Sequence, residues 1–279
     1  MCNLIRLNVI SVYAIGDIHG NFKSIPYNIK HYDLHDCVLI FCGDIGFGFE
    51  KYEYYEQIFN KIKQELSKRN IYCLFVRGNH DDKEYFNGKT INFKRIKAIP
   101  DYTVVQTYDI ISDRLTHNIL CIGGATSIDR TYRMGINQRN AANYKYYHMC
   151  SEDEAERKAP KCYWIGEQPV FDEDKINSIT KLGINIDTVC THTCPSFCQP
   201  LTKDGISYWL RMDEMLERDV DNERQTMDKI YRKLKYDKHS LNTWYYGHFH
   251  YTNTENVDNT MFRMLDMERN GNFMLIEIK

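Results

Sequence analysis

Residues 9–20 read Val9-Ile10-Ser11-Val12-Tyr13-Ala14-Ile15-Gly16-Asp17-Ile18-His19-Gly20. An apolar, β-branched and aromatic run that breaks at a glycine is the pattern of a short buried strand. The polar groups that follow are delivered at its C-terminal end. The pattern recurs: Cys37–Cys42 leads into Gly43-Asp44, and Ile71–Val76 leads into Arg77-Gly78-Asn79-His80-Asp81. Between these strands, Phe22–Lys30 and Tyr52–Arg69 read as helices, the second with Tyr55, Ile58, Phe59, Ile62 and Leu66 at helical spacing. Strands alternating with helices predict an α/β fold, in which ligand sites lie off the carboxyl edge of the strands.

Further along, Leu120–Ile122 and Asp187–Cys190 read as strands, and Val170–Leu182 as a helix with Asp172 as its N-cap. Arg211–Lys235 reads as a long helix with Leu216, Val220, Met227, Ile230 and Leu234 inward and its charges on a solvated face. Trp244–Tyr246, Met261–Asp266 and Phe273–Ile278 close the chain as strands, with Asn270-Gly271 as a hairpin turn. The later strands deliver Thr191-His192-Thr193 and Gly247-His248-Phe249-His250. The least regular stretch is Gly123–Gly166, with Gly123-Gly124-Ala125, a Tyr/Asn-rich segment and a charged patch over Glu152–Lys158. It reads as an irregular cap or lid over about residues 124–168, inserted into a single domain that spans 1–279.

Half of the ten histidines fall inside these strand-end motifs. Asp17-x-His19 places two ligands on one side of an extended segment, and His248-x-His250 repeats the spacing. Imidazole, carboxylate and a neutral amide oxygen suit Mn, Fe, Zn or Co better than Ca or Mg. No thiolate is called for, so a closed structural zinc site is a poor match. A carboxylate such as Asp44 can bridge two cations. Two ions about 3.5–4 Å apart clamp an oxyanion and lower the pKa of a shared water.

In order, from residue 12 to about residue 250, the five motifs resemble the calcineurin-like metallophosphoesterase family. The resemblance implies a two-sheet β-sandwich flanked by helices, an αββα arrangement, and a phosphoester hydrolase with two divalent metal ions. It implies Asp17, His19 and His250 on the first ion, Asn79, His192 and His248 on the second, and Asp44 bridging them. A metal-bridging hydroxide would attack phosphorus in line. His80 would lie beside the ions without ligating, and would protonate the leaving oxygen or stabilise the transition state. Asp81 would orient His80 or tune its charge from behind.

Gly123–Asp129, Arg133 and Trp164–Gln168 look like a prokaryotic and phage-encoded branch of that family, and Arg133 is a candidate contact for substrate phosphate. Arg77-Gly78-Asn79-His80 resembles the Arg-Gly-Asn-His of protein Ser/Thr phosphatases, where a guanidinium offers a planar fork to phosphate. Those enzymes continue their second motif with Asp-Arg-Gly, and this chain reads Asp44-Ile45-Gly46. That clamp is either absent or supplied from elsewhere, with Arg130 and Arg133 as candidates, and a phosphoprotein substrate is disfavoured. The expected substrate is a phosphoester on a small or nucleotide-like molecule, monoester or diester. A nuclease or cyclic-nucleotide phosphodiesterase on the same scaffold would hold bases on Tyr132, Tyr144, Tyr146, Tyr147 and Trp164. A non-catalytic scaffold would show a lost ligand or a lost His80, and none is missing.

At 279 residues the chain can bury a full core, and a net charge of −2 gives no electrostatic case for long nucleic acid. The ten cysteines read as reduced thiols. Cys190, Cys194 and Cys198 lack the tighter Cys-x-x-Cys pairing of thiolate sites. The apolar run Leu4–Ile15 is broken by Arg6 and Asn8 and leads straight into Asp17, unlike a signal peptide. No run approaches the length of a membrane span. These readings predict a cytoplasmic enzyme, with manganese as the practical assay metal. They give no oligomeric state.

Overall fold

Cys37–Cys42 is apolar at every position because both of its faces are covered. Cys37, Leu39 and Phe41 enter one hydrophobic cluster, and Val38, Ile40 and Cys42 enter another. Period-two alternation between two cores leaves no polar position in such a strand. Ile71–Val76 divides the same way, with Cys73 and Phe75 on one side and Leu74 and Val76 on the other.

The computed structural model describes residues 3–279. The chain begins β1 (Asn3–Val9), β2 (Ser11–Ile15), α1 (Ser24–His31), β3 (Cys37–Cys42), α2 (Tyr52–Lys68) and β4 (Ile71–Val76). It continues through β5 (Asn92–Phe93), β6 (Ile96–Ala98), β7 (Thr103–Asp109), β8 (Leu115–Ile122), α3 (Arg130–His148) and α4 (Glu152–Lys158). Then follow α5 (Glu173–Lys181), β9 (Thr188–Thr191), α6 (Ile206–Trp209) and α7 (Leu216–Tyr236). The last strands are β10 (Thr243–Tyr246), β11 (Asn253–Val257), β12 (Thr260–Met264) and β13 (Ile276–Glu277).

One sheet has six strands in the order β13-β2-β3-β4-β6-β5, and the other has seven in the order β1-β7-β8-β9-β10-β12-β11. β2, β3, β4 and β6 run parallel, as do β8, β9, β10 and β12. The inner faces meet in a core that includes Val12, Ile40, Val76, Val105, Ile119 and Tyr245. Ile25 and Ile29 of α1 and Tyr55, Phe59, Ile62 and Leu66 of α2 cover the six-stranded sheet. Ile176 and Ile179 of α5 and Met227, Ile230 and Leu234 of α7 cover the seven-stranded one. The layers are therefore helix, sheet, sheet, helix, the predicted α/β sandwich. Asp172 caps α5 by accepting from the N–H of Lys175, and Asn270 and Gly271 turn with positive φ between the bridged residues Arg269 and Asn272. Among the described residues, no helix is long and apolar enough to cross a membrane.

Three expectations change. Val9–Ile15 is not one strand: β1 ends at Val9 in the seven-stranded sheet, and β2 starts at Ser11 in the six-stranded one. The stretch read as irregular holds α3 and α4, which pack on each other. The 19-residue α3 buries only Arg130, so it carries no apolar stripe for periodicity to detect. The charges of α7 are not all solvated either. Glu223, Arg224 and Asp228 are buried, and they hold the loops that follow β8 and β9.

Candidate metal centre

β2, β3, β4, β9 and β10 end at one edge of the sandwich, and each runs into a short loop with a motif. Those loops approach closely enough to demand glycine. A Cβ on Gly78 would land on the backbone and carboxylate of Asp44, and one on Gly43 would land on the ring of His192. The motif side chains do not converge by strand alternation, as the spacing suggested. His19, Asp44, His248 and His250 all take left-handed backbone, with φ of 42°, 49°, 70° and 63°. For residues with a Cβ this conformation costs on the order of 1–3 kcal/mol each, and it persists where the surroundings enforce it.

Two sets of donor atoms result, each gathered within 4.8 Å: Asp17, His19, Asp44 and His250, and Asp44, His192 and His248. Asp44 belongs to both. In the first set, His250 Nε2 lies 3.1 Å from Asp17 Oδ2 and 3.2 Å from His19 Nε2. In the second, His192 Nε2 lies 3.1 Å from Asp44 Oδ1 and 2.9 Å from Asn79 Oδ1, which adds the amide oxygen. His80 Nε2 stands 3.7 Å from Asp44 Oδ2, and the His80 N–H donates to Asp44 Oδ1 at 2.8 Å.

The arrangement fits cations. Asp17 and Asp44 are fully buried, yet Oδ2 of each lacks a well-formed hydrogen bond, and the nearest group to that of Asp17 is another member of the donor set, His250 Nε2. Two buried, unpartnered carboxylate oxygens are costly unless a cation faces them. Burial works against charge on His192, but Asp44 and Asp17 outweigh it and lift the imidazole to about 9. Its neighbours respond oppositely. Burial, with Lys203 and His192 beside it, holds His248 well below the usual histidine range. His80 is pushed down to about 4 by burial, against the pull of Asp44 and with help from Arg133, His19 and Lys203. Nitrogen, carboxylate and amide donors surround the space between Asp17 and Asp44. A dinuclear divalent site matches this donor set.

The calcineurin-like phosphoesterase profile matches residues 10–252, which take in all of these donors. The chain belongs to that family. It is therefore a metal-dependent phosphoester hydrolase. Similar solved structures include a phosphopantetheinyl hydrolase from Mycobacterium tuberculosis, at 14% identity over 96% of each chain with a TM-score of 0.43. A dimetal phosphatase from Danio rerio is similar at 11% identity over 93% of this chain and 88% of that one, with a TM-score of 0.44. No curated protein matches in sequence.

Other motif residues of this phosphoesterase do work that the sequence did not suggest. Asp81 does not reach toward His80. Its carboxylate accepts from the backbone N–H groups of Gly46 and Phe47 on one oxygen, and of Ile45 and Gly78 on the other. It ties the Asp44 loop to the Asn79 loop. Asp81→Ala leaves these four buried donors without an acceptor, and each such loss costs about 1 kcal/mol or more. We expect a loss of roughly 3 kcal/mol or more in urea denaturation with chelator present. An unchanged midpoint would show that the loops hold without it.

Arg77 is buried and its guanidinium is engaged. It donates to the carbonyls of Glu167, Gly123 and Gln168 and pairs with Asp101. Arg130 is likewise engaged, by Asp213 at 2.6 Å and Asp219 at 2.8 Å. Neither guanidinium is free to clamp phosphate. Arg133 lies within the field of His80, with its Nε on Asp129 at 2.7 Å and Nη1 on the Cys162 carbonyl. Trp164 packs on Phe49, with centroids 5.6 Å apart, so it does not join the exposed Tyr146 and Tyr147 in a stacking platform.

Sequence reasoning missed the support of Asn79. Its Nδ2 donates to Ser127 Oγ at 2.8 Å, and Ser127 Oγ and N–H donate to Glu167 at 2.7 and 2.6 Å. This fixes the amide with Oδ1 toward the site. Burial pushes the Glu167 carboxyl up to about 8, and Glu223 and Asp44 add to the rise against the bonds from Ser127. The folded value exceeds the ordinary 4.5, so the stabilising contribution is complete below that pH and is lost as pH rises toward about 8. Between pH 5 and 8, with chelator, the wild type should lose on the order of a few kcal/mol more stability than Glu167→Gln, which cannot ionise. Equal slopes in urea denaturation would overturn this assignment.

Proposed function

We propose that the chain hydrolyses the phosphoester of a small or nucleotide-like molecule. Asp17, His19 and His250 would hold one divalent ion, Asn79, His192 and His248 the other, and Asp44 both. The observation that carries this reading is the pair of buried, unpartnered oxygens of Asp17 and Asp44, ringed by histidine nitrogens from separate loops. Bound there, the two ions supply an activated water and neutralise charge that develops on phosphate. The chain's own residues do the rest. The Ser127–Glu167 pair keeps the Asn79 oxygen aimed inward. His80, held neutral in the free site by burial, would take up a proton as the negative charge of the phosphate arrives beside it and pass that proton to the departing oxygen. The helical segment over about 124–168 forms a cap on one domain, with Arg133 at the cleft.

Manganese is the metal of choice for assay. Metal-stripped protein reloaded with Mn, Fe, Zn or Co should turn over aryl phosphomonoesters or phosphodiesters offered side by side. Silence toward both with every metal would sink the proposal.

A further inference from the structure

The second motif, Asp44-Ile45-Gly46, carries no arginine, and Arg77 and Arg130 are committed to carbonyls and carboxylates elsewhere. One cation nevertheless reaches the donor set. Lys203 Nζ lies 3.2 Å from His248 Nδ1. Among the described residues no carboxylate pairs with this amine; burial pulls its pKa down from the usual lysine value, and Asp44, Asp17, Glu223 and Asp129 oppose that pull. Its loop is built to hold it there. Buried Arg224 donates to the carbonyls of Pro195, Cys198 and Pro200, and Ser196 is bound by Asp228. The Tyr246 hydroxyl donates to the Gln199 carbonyl, and the Gln199 N–H donates to Glu255. The base of the loop is thus pinned on both sides just before Lys203. The four-carbon stem lets the ammonium leave the ring for an oxygen nearby without moving that base.

We propose that Lys203 is the substrate-phosphate clamp of this site and that it sets the preference for phosphomonoesters over phosphodiesters. The inference rests on the phosphoesterase reading above. A terminal phosphate is close to dianionic at neutral pH, whereas a diester carries one charge. Coulomb attraction to a fixed cation scales with ligand charge, so Lys203 favours the monoester about twice as strongly in energy. Arg133 is less suited, because Asp129 already neutralises it at 2.7 Å.

The test uses the full-length, metal-loaded protein with Lys203→Met and Lys203→Arg. Metal content is measured first, then binding of inorganic phosphate by calorimetry, then kcat/KM for paired aryl monoester and diester substrates. Lys203→Met should keep both ions and bind phosphate about 10- to 100-fold more weakly. Its monoester kcat/KM should fall by the same factor, and its diester kcat/KM by the square root of it, about 3- to 10-fold. Lys203→Arg should recover most of the loss. Unchanged phosphate affinity in Lys203→Met, or equal losses on both esters, would overturn the inference. So would loss of metal, which would make Lys203 a support for His248. A wild type that neither binds phosphate nor cleaves either ester sinks the phosphoesterase reading itself. An active wild type with an indifferent Lys203→Met sinks this inference alone.

Discussion

Asp44→Asn is expected to lose both metal ions together and to lower manganese-dependent turnover by about 10³-fold or more, roughly 4 kcal/mol in the barrier. Asp44 is the one residue shared by the two donor sets. Its Oδ1 faces His192 Nε2 at 3.1 Å and accepts from the His80 N–H, and its unpartnered Oδ2 looks toward His19 Nδ1 at 4.0 Å. Burial would raise this carboxyl, but His192, His80 and His19 hold it well below the usual range, so it is charged at every working pH. The amide that replaces the carboxylate keeps an acceptor for the His80 N–H, and the loop should therefore stay folded. What it cannot do is place a charged oxygen on each ion. An ion present at about 100 times its Kd stabilises a folded protein by about 2.7 kcal/mol, so manganese should raise the wild-type Tm. That rise should vanish in Asp44→Asn. Asp17→Asn is the control, because Asp17 belongs to one set only. It should weaken one ion and leave the other. Calorimetry that finds two tight ions in Asp44→Asn, or the loss of only one, would remove Asp44 from the bridging position.

The parts of this molecule that could be read from sequence are those where one physical demand dominates. β3 and β4 were legible to the residue because burial on both faces forces a continuous apolar run. The α2 stripe was legible because one face must match a sheet. The motif loops were legible because few residue types offer the required nitrogen and oxygen donors. Less legible were features whose demand is not written in residue type. Nothing about His19 or His248 announces a left-handed backbone, which only the packing of neighbouring loops imposes. A charged residue next to a ligand reads as chemistry, yet Asp81 is held by main-chain N–H groups and Arg77 by main-chain carbonyls and Asp101. α3 evaded detection because a helix with a single buried residue has no periodicity to show. Glu223, Arg224 and Asp228 on α7 resembled a solvated face because buried and exposed charges look alike until their partners are known. Lys203 belongs to no motif, and it reaches the site only through the fold of its loop.

His80→Ala should separate chemistry from metal binding at the centre of the site. The ring makes no contact that an ion needs: its nearest carboxylate oxygen, Asp44 Oδ2, is 3.7 Å away, and the bond that positions Asp44 comes from the His80 backbone, which alanine retains. Metal content should therefore be unchanged. Turnover should fall by roughly 10²–10⁴-fold, the usual range for a general acid. Burial, with Arg133, His19 and Lys203 adding to it against the pull of Asp44, pushes the free imidazole down to about 4, so at pH 7 it starts neutral. Negative charge arriving with the phosphate, and building on the leaving oxygen as the bond breaks, pulls the proton balance back toward the ring. The need for that proton depends on the leaving group. An alkoxide departs poorly without it, whereas an acidic nitrophenol departs readily as an anion. The defect in His80→Ala should therefore be largest for alkyl and unsubstituted phenyl phosphates and smallest for nitrophenyl phosphates, giving a steeper dependence of log kcat on leaving-group pKa than in the wild type. Asn79→Ala should behave differently, with reduced metal affinity that added manganese partly rescues. If His80→Ala loses metal, the ring is a ligand. If it slows every ester by the same factor, its N–H stabilises the transition state electrostatically and does not transfer a proton.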